Sequence, residues 1–318
     1  MESFPVLFPI ASYWARLQGL SLHLDPWAVL LMAFLLGGVT GFFGVGGRLM
    51  TVPLLHVLFR VPYNVAVGSD LGQMAGITTM NLFRFKRMSR IDFKLTFFML
   101  VGTIPGLEAG VRILERLKGA GALRVAGITL PYLSLVMALI YGTLLAWIGW
   151  IIFKESKGPA ALSTSEGTAI GDPPTVTARL QHIKWPPRIS LPVSGIEAIS
   201  FWVIMGVGGA TGLLLGLLGA GGGFIRLPAL IYVIGCPMVV AIGTDLFEGL
   251  ITLAYGVLTH SLKGNIDLFL TLCLLIGISL GGQVGGVLAK RFADLRLKKV
   301  FAFLAFSVAV LGVVEWWF

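Results

Sequence analysis

Four acidic residues lie inside apolar stretches of the sequence, where ionisable side chains are rare. They are Asp70, Glu108, Asp245 and Glu248. Asp245 and Glu248 are three positions apart, and Gln73 follows Asp70 at the same spacing. On a helix this spacing places both members of each pair on one face. Ionisable groups in apolar surroundings are costly and usually face a cavity or a partner. This pattern favours proton binding, coupling or gating, or else a buried ion pair or hydrogen-bonded brace.

Two arginines, Arg48 and Arg226, supply the opposite charge, and each follows a glycine-rich segment. A guanidinium group offers paired donors that suit a carboxylate or a sulfonate. The alternative is that the arginines neutralise nearby acids or extend to lipid headgroups. Because four acids face two arginines, some of the acids are expected to be protonated, which suits proton coupling.

The two glycine-rich segments interrupt apolar sequence, at residues 41–47 and 216–223, and a short apolar element with an early proline, Pro53 or Pro228, follows each. Irregular backbone within a membrane is tolerated only where it is buried in protein or lines a cavity. The N-terminus of the following helix is a natural anion site. Close helix packing through small residues is the alternative. The predicted substrate-binding positions are Gly44, Gly46, Gly47, Arg48, Gly219, Gly221, Gly222 and Arg226. The predicted coupling or gating positions are Asp70, Gln73, Asp245, Glu248 and Glu108.

The sequence lacks the residue patterns that metal binding, nucleotide binding and nucleophilic catalysis require. The histidines show no metal-ligand spacing, and their positions are His23, His56, His182 and His260. Neither glycine segment has the Gly-Lys-Ser/Thr ending of a phosphate-binding loop, and no nucleophile elbow occurs. We therefore expect no metal, no cofactor and no enzymatic activity.

The elements that carry these residues are apolar. Hydrophobic residues make up 56% of the chain and charged residues 12%, against about 25% charged in an average soluble domain. Uncharged stretches reach the roughly 20 residues that a membrane-spanning helix needs. The net charge of +9 is explained by cationic cytoplasmic loops, and no basic stripe indicates nucleic-acid binding. The fold class predicted is an all-α, multi-pass membrane protein.

The sequence repeats itself at an offset of 175 residues, for example from Pro53 to Pro228 (228 − 53). The motif Gly68-Ser69-Asp70 matches Gly243-Thr244-Asp245 at this offset, and Ile91-Asp92 matches Ile266-Asp267. Such duplications are typical of secondary transporters. Each half contains five apolar elements, the second of them short and discontinuous. Their predicted ranges are 27–43, 48–60, 64–83, 92–115 and 129–153, then 200–217, 223–235, 239–258, 267–289 and 299–317. We expect about eight to ten membrane helices.

The predicted organisation is an N-terminal segment (1–24), a first repeat (25–153), an irregular polar linker (154–197) and a second repeat (198–318). Cations cluster in the loop after the third element of the first half and after the fourth element of the second half. The positive-inside rule then predicts inverted repeats, with both termini outside and the linker in the cytoplasm. The cations at 112–124 disagree with this topology.

The chain resembles the sulfite exporter TauE/SafE family, also called the toluene-sulfonate uptake permease superfamily. The resemblance rests on G-F-F-G-V-G-G-R-L-M-T-V-P and G-L-L-G-A-G-G-G-F-I-R-L-P, followed by V-G-S-D-L and I-G-T-D-L. It implies an inner-membrane permease for sulfur-containing anions such as sulfite or small organosulfonates, with its site between the repeats. Arg48 departs from the family, which often has a third glycine there. An anion channel, a membrane-embedded enzyme and a homo-oligomer stay open.

Overall fold

The computed structural model describes residues 25–43, 47–85, 91–125, 128–155, 185–219 and 226–291. Within these ranges the chain is mainly helical, as the sequence predicts. The first half forms α1 (Pro26–Phe43), a single 3₁₀ turn (Gly47–Met50), α2 (Thr51–Phe59), α3 (Tyr63–Phe85), α4 (Phe93–Gly119) and α5 (Tyr132–Glu155). The second half forms α6 (Phe201–Leu218), a π-helical segment (Ala229–Ile234), α7 (Met238–Leu262) and α8 (Leu268–Arg291). The predicted element at 299–317 lies outside the described residues.

Four of the described helices are long and apolar enough to cross a membrane, namely α4, α6, α7 and α8 up to Ala289. Two shorter apolar helical stretches accompany them, Pro26–Phe42 and Tyr132–Leu145. Large apolar side chains such as Leu31, Leu280 and Val287 are exposed on the surface, where lipid would solvate them. The predicted class, a helical multi-pass membrane protein, is confirmed.

The helices of the two halves pack closely against each other. α1 lies along α8, and α4 lies along α6. Glycines make this contact possible, because a Cβ at Gly41 would collide with the Gly282 backbone, and one at Gly216 would collide with the Leu107 backbone. Small residues of this kind let helix backbones approach within a membrane.

The two helix pairs contain equivalent contacts, whose residues are related by the same offset of 175 that relates the two halves in sequence. Gly37 packs on the backbone of Ile278, and Gly212 packs on the backbone of Thr103, so both partners are displaced by 175 residues (212 − 37 and 278 − 103). α3 and α7 pack against each other beside these pairs. The opposite orientation of the halves across the membrane stays a prediction.

Two short antiparallel hairpins correct the purely helical expectation. One joins Ala122–Val125 to Ile128–Pro131, and the other joins Arg188–Leu191 to Ile196–Ser200. The second hairpin occupies the last part of the segment 154–197, which the sequence predicts to be irregular. Apolar residues of both strands are buried and hold the hairpin in place, namely Ile189 and Leu191 on the first strand and Ile196 and Ile199 on the second.

Candidate functional site

A buried ionic cluster occupies the second half, where Arg226 meets two carboxylates of α7. Its Nε donates to Asp245 Oδ1 at 2.5 Å, and its Nη2 donates to the Asp245 backbone carbonyl at 3.1 Å. Nη1 forms an ion pair with Glu248 Oε2. The Arg226 side chain is 4% exposed and that of Glu248 is 0% exposed. Three of the predicted site residues therefore lie in direct contact, in the ion pair that the sequence left as an alternative.

Glycine at position 249 makes room for this cluster. A Cβ at Gly249 would lie 2.7 Å from Arg226 Nη2, so a larger residue would displace the guanidinium. The sequence patterns do not single out Gly249. The signal that could have found it is its place directly after Glu248, on the helix that carries both acids.

The first half holds a related but different arrangement on α3. Gln73 Nε2 donates to Asp70 Oδ1 at 2.9 Å, and both side chains are buried. Thr51 takes the position that corresponds to Arg226 at the offset of 175 (226 − 51). Arg48 lies in the 3₁₀ turn that begins at Gly47, but its side chain lies outside the described part. The two halves thus place different chemistry at matching positions.

The second glycine segment begins beside the first half's acid pair. Gly219 ends α6 with a left-handed φ of 67°, and a Cβ there would lie 2.9 Å from the Val67 carbonyl. The preceding Leu218 carbonyl accepts a hydrogen bond from Tyr141 of α5. Val67 is one helical turn before Asp70 on α3. The start of the second glycine segment, at Leu218 and Gly219, is therefore packed against helices of the first half.

Four of the predicted glycine positions lie outside the described residues, namely Gly44, Gly46, Gly221 and Gly222. Pro53 and Pro228 fall near the starts of their short helical elements, as predicted. The first of these elements is a 3₁₀ turn followed by α2, while the second is π-helical.

Glu108 lies on α4 with partners that are not part of the ionic cluster. Its carboxylate accepts a bond from Arg112 Nε at 2.8 Å and one from the Tyr255 hydroxyl at 3.5 Å. Tyr255 belongs to α7, so Glu108 contributes to the α4–α7 interface. The structure does not bring Glu108 together with Arg226.

A reciprocal brace fixes the two acid-bearing helices. The Asp92 backbone N–H donates to Thr244 Oγ1 at 3.1 Å, and the Asp267 N–H donates to Ser69 Oγ at 3.0 Å. Thr244 and Ser69 each directly precede an acid, Asp245 or Asp70. The contact therefore couples the motifs of one half to the helix starts of the other. The sequence shows both motifs as repeated but does not show that they touch.

No group of three or more histidine, cysteine, aspartate or glutamate side chains is placed to hold a metal ion within the described ranges. The described residues instead offer a buried cation, adjacent carboxylates and a packed helix end at Gly219.

Comparison with known proteins identifies the family. Residues 29–311 match the family model described as sulfite exporter TauE/SafE. The chain is 26% identical over 276 residues to the probable membrane transporter protein YjnA of Bacillus subtilis, covering 86% of this chain and 94% of that protein. It is 24% identical over 291 residues to a probable membrane transporter protein of Xylella fastidiosa strain 9a5c, covering 89% and 93%. No solved structure matches the chain. The chain belongs to the sulfite exporter TauE/SafE family and is a multi-pass membrane transporter.

Proposed function

We propose that the protein is an inner-membrane permease for small sulfur-containing anions, such as sulfite or an organosulfonate like sulfoacetate, with its site between the two halves. The observation that carries the proposal is the buried Arg226 guanidinium, which lies three residues after the end of the second glycine segment. Sulfite and sulfonate oxygens match the paired donors of a guanidinium group. The family name supports the sulfur chemistry.

The ionic cluster explains how such a site would be used. In the described state both Asp245 and Glu248 contact Arg226, so the guanidinium is already paired. Protonation of one carboxylate removes its attraction for the guanidinium and leaves donors for an incoming anion. Anion binding and proton binding then favour each other, which is the basis of proton-coupled transport.

The coupling residues of the two halves play different parts in this scheme. Asp245 and Glu248 compete directly with the anion for Arg226. Asp70 and Gln73 lie on α3, one turn from the Gly219 contact, and would respond to movement of the break. Glu108 acts at the neighbouring α4–α7 interface.

Reconstitution in liposomes tests the proposal. Purified protein is assayed for uptake of sulfite, sulfoacetate, taurine, sulfate and acetate, with and without an imposed proton gradient. We expect saturable uptake of one sulfur anion that the inward proton gradient accelerates. Equal rates for acetate and the sulfur anions, or no uptake by a protein with a cooperative thermal unfolding transition, would contradict it.

An anion channel is the second candidate, since a channel and a carrier share the same charge chemistry. The contacts between α1 and α8 and between α4 and α6 favour a carrier, because each pair joins one helix from each half. Movement of one half against the other can expose a central site to alternate sides. A membrane-embedded enzyme has no such support among the described contacts.

A further inference from the structure

The two acids that share Arg226 hold different parts of its guanidinium group. Asp245 accepts a hydrogen bond from Nε through its side chain at 2.5 Å and one from Nη2 through its backbone carbonyl at 3.1 Å. Nε and Nη2 form one edge of the planar group, so Asp245 occupies that edge. Glu248 Oε2 pairs with Nη1, which belongs to the opposite edge. The two carboxylates are therefore not interchangeable.

Loss of charge from each carboxylate would have a different consequence for Arg226. Protonation of the Asp245 side chain weakens the bond to Nε, but the backbone carbonyl of the same residue still accepts from Nη2. Protonation of the Glu248 side chain frees Nη1. Because Nη2 carries a second N–H, Nη1 and Nη2 then present two donors on one edge, which match two oxygens of a sulfite or sulfonate. Glu248 therefore covers the edge that suits an anion.

Glu248 is also the more deeply buried of the two acids. Its side chain is 0% exposed, while that of Asp245 is 16% exposed. Glu248 Oε1 has no hydrogen-bond partner among the described residues. From α3, the methyl carbon of the uncharged Thr78 lies 3.9 Å from a Cβ placed at the adjacent Gly249. A buried carboxylate oxygen without a donor is unusual inside a membrane protein and marks a place where a proton or another ligand binds.

The first half shows which of the two acids is particular to the arginine. At the offset of 175, Asp70 corresponds to Asp245 (245 − 70) and Gln73 corresponds to Glu248 (248 − 73). Gln73 Nε2 donates to Asp70 Oδ1 at 2.9 Å, and both side chains are buried. An amide does not carry an exchangeable charge. The aspartate is thus common to both halves, whereas the titratable glutamate occurs in the half that contains Arg226.

We propose that Glu248 is the acid that releases Arg226 to the anion and carries the coupling proton, while Asp245 holds the guanidinium in place. When the cluster opens to water, a proton binds the Glu248 carboxylate, the ion pair breaks, and the anion accepts hydrogen bonds from Nη1 and Nη2. On the other side the anion leaves, Glu248 returns the proton to water, and the ion pair forms again. One proton then crosses with each anion. This inference rests on the proposed function, because it assigns separate parts within that site.

The steady-state accumulation of the anion in a pH gradient tests this assignment. Proteoliposomes with the membrane potential clamped at zero receive labelled sulfoacetate, or whichever sulfur anion the uptake panel identifies. With one proton per anion, a gradient of about one pH unit should concentrate the label about ten-fold, because the coupling between the two ligands is reciprocal. This ratio measures coupling and does not depend on the transport rate.

Two substitutions in the same cluster should differ in this ratio. Glu248→Gln should abolish accumulation while label still equilibrates across the membrane, because glutamine resembles a neutral glutamate but cannot carry the proton. Gln73 shows that the chain accepts glutamine at the equivalent position of the first half. Asp245→Asn removes the same charge from the other acid. It should slow uptake but still reach the wild-type ratio.

Glu197→Gln is the control outside the cluster, since Glu197 is an exposed acid of the second hairpin. It should leave both the rate and the ratio unchanged. Calorimetric titration of the anion into purified protein in detergent adds a second measurement. Binding should take up about one proton, seen as a difference between buffers of unlike ionisation enthalpy. Asp245→Asn should keep this proton uptake, so the assignment is decided even if Glu248→Gln does not fold.

The outcomes separate the claims. Accumulation by Glu248→Gln at the wild-type ratio would overturn the assignment, and so would loss of accumulation or of proton uptake in Asp245→Asn. Exclusion of label by a Glu248→Gln variant that unfolds at the wild-type temperature would also overturn it, because Glu248 would then act in anion passage itself. Wild-type uptake that ignores the pH gradient would refute proton coupling together with this assignment and leave the permease intact. No uptake of any tested anion by the wild type would refute the proposed function.

Discussion

The buried guanidinium of Arg226 pairs with two acidic residues of α7. Arg226 makes contacts with Asp245 through Nε and Nη2 and with Glu248 through Nη1. Burying these charges is favourable only while they remain paired. In the proposed mechanism, the contacts that stabilise the described state loosen when an anion binds. Stability and transport would then depend on the same three side chains.

Removal of the guanidinium alone should destabilise the protein strongly. Arg226→Ala leaves two carboxylates buried without their counter-ion, which costs about 3–5 kcal/mol for a broken buried pair. We expect a lower melting temperature in detergent and no gradient-driven uptake. An unfolding temperature equal to that of the wild type would contradict this account of the cluster.

The matched control removes all the charges together. Arg226→Met with Asp245→Asn and Glu248→Gln keeps the volume but leaves no uncompensated charge. Its melting temperature should recover most of the loss seen for Arg226→Ala, while transport stays absent. Recovery of transport as well would show that the cluster has no part in it.

At this scale the sequence predicts which acids share a helix face better than it predicts the partners of those acids. The spacing of Asp245 and Glu248 on one helix face is readable, because helix geometry is local. The contact with Arg226 depends on how the chain folds through the glycine segment between α6 and the π-helical segment, which no local pattern determines. The sequence likewise does not show that His260 is buried, because burial depends on packing between helices that are distant in the chain.

Among the helices, glycines set the distance between the two halves. A Cβ at Gly106 of α4 would collide with the Gly209 carbonyl of α6. A Cβ at Gly206 on the same α6 helix would meet nothing within 4 Å. The α4–α6 pair therefore contains one glycine that a side chain cannot replace without a collision and another that has room for a side chain.

Alanine substitutions should separate these two kinds of glycine. Gly106→Ala forces the helices apart and should cost about 1–3 kcal/mol, as overpacking does. Gly206→Ala should be neutral or stabilising by up to about 1 kcal/mol, because alanine is the better helix former. Thermal unfolding of both purified variants measures the difference. Equal melting temperatures would show that α4 and α6 are not in close contact.

The hairpin of residues 188–200 is held against the helices by specific contacts. Ser194 Oγ donates to Asp92 Oδ2 at 2.7 Å, and Lys94 Nζ donates to the Ser190 carbonyl at 2.8 Å. The Ser194 hydroxyl also lies beside the thiol of Cys236. The hairpin therefore connects the start of α4 to the end of the π-helical segment.

This contact can be trapped with one substitution. Ser194→Cys places a second thiol next to Cys236, and mild oxidation should join them in a disulfide. The cross-link should appear as a loss of both free thiols that dithiothreitol reverses. Ser194→Cys in a Cys236→Ser background is the control and should keep its thiol. Failure to cross-link at any oxidant concentration would contradict the docked hairpin.

The sequence predicts the long helices well and the hairpin not at all. Apolar runs in a membrane protein form helices because each backbone group must be satisfied within its own segment, so the bounds of α1, α3, α4, α6 and α7 agree to within a few residues. The hairpin has only a few alternating apolar residues next to several prolines. Its order comes from burial against helices that are distant in sequence, such as α4 at Leu95 and Met99.

Across the whole molecule, helices of the first half pack directly against helices of the second half. The helix pairs α1–α8 and α4–α6 and the backbone braces at Asp92 and Asp267 all join one half to the other. The offset of 175 residues (228 − 53) relates these contacts to one another. The sequence reveals the offset, but only the packing shows that helices of one half pair with helices of the other.

Inverted orientation of the halves predicts opposite exposure of equivalent loops. In whole cells, Lys263→Cys should react with a membrane-impermeant maleimide, and Arg291→Cys should react only after permeabilisation. The background should be low because Cys236 and Cys273 are both buried. Labelling of both positions from the same side would contradict the inverted topology.

Counterflow of labelled sulfoacetate in proteoliposomes tests the central claim most directly. Vesicles are loaded with unlabelled anion and diluted into a trace of label at equal pH, with no ion gradient. A permease whose site alternates between two sides should accumulate label transiently above its equilibrium level. Simple equilibration of the label would indicate a channel, and no entry of this anion or of sulfite would contradict the account of the protein as a sulfur-anion permease.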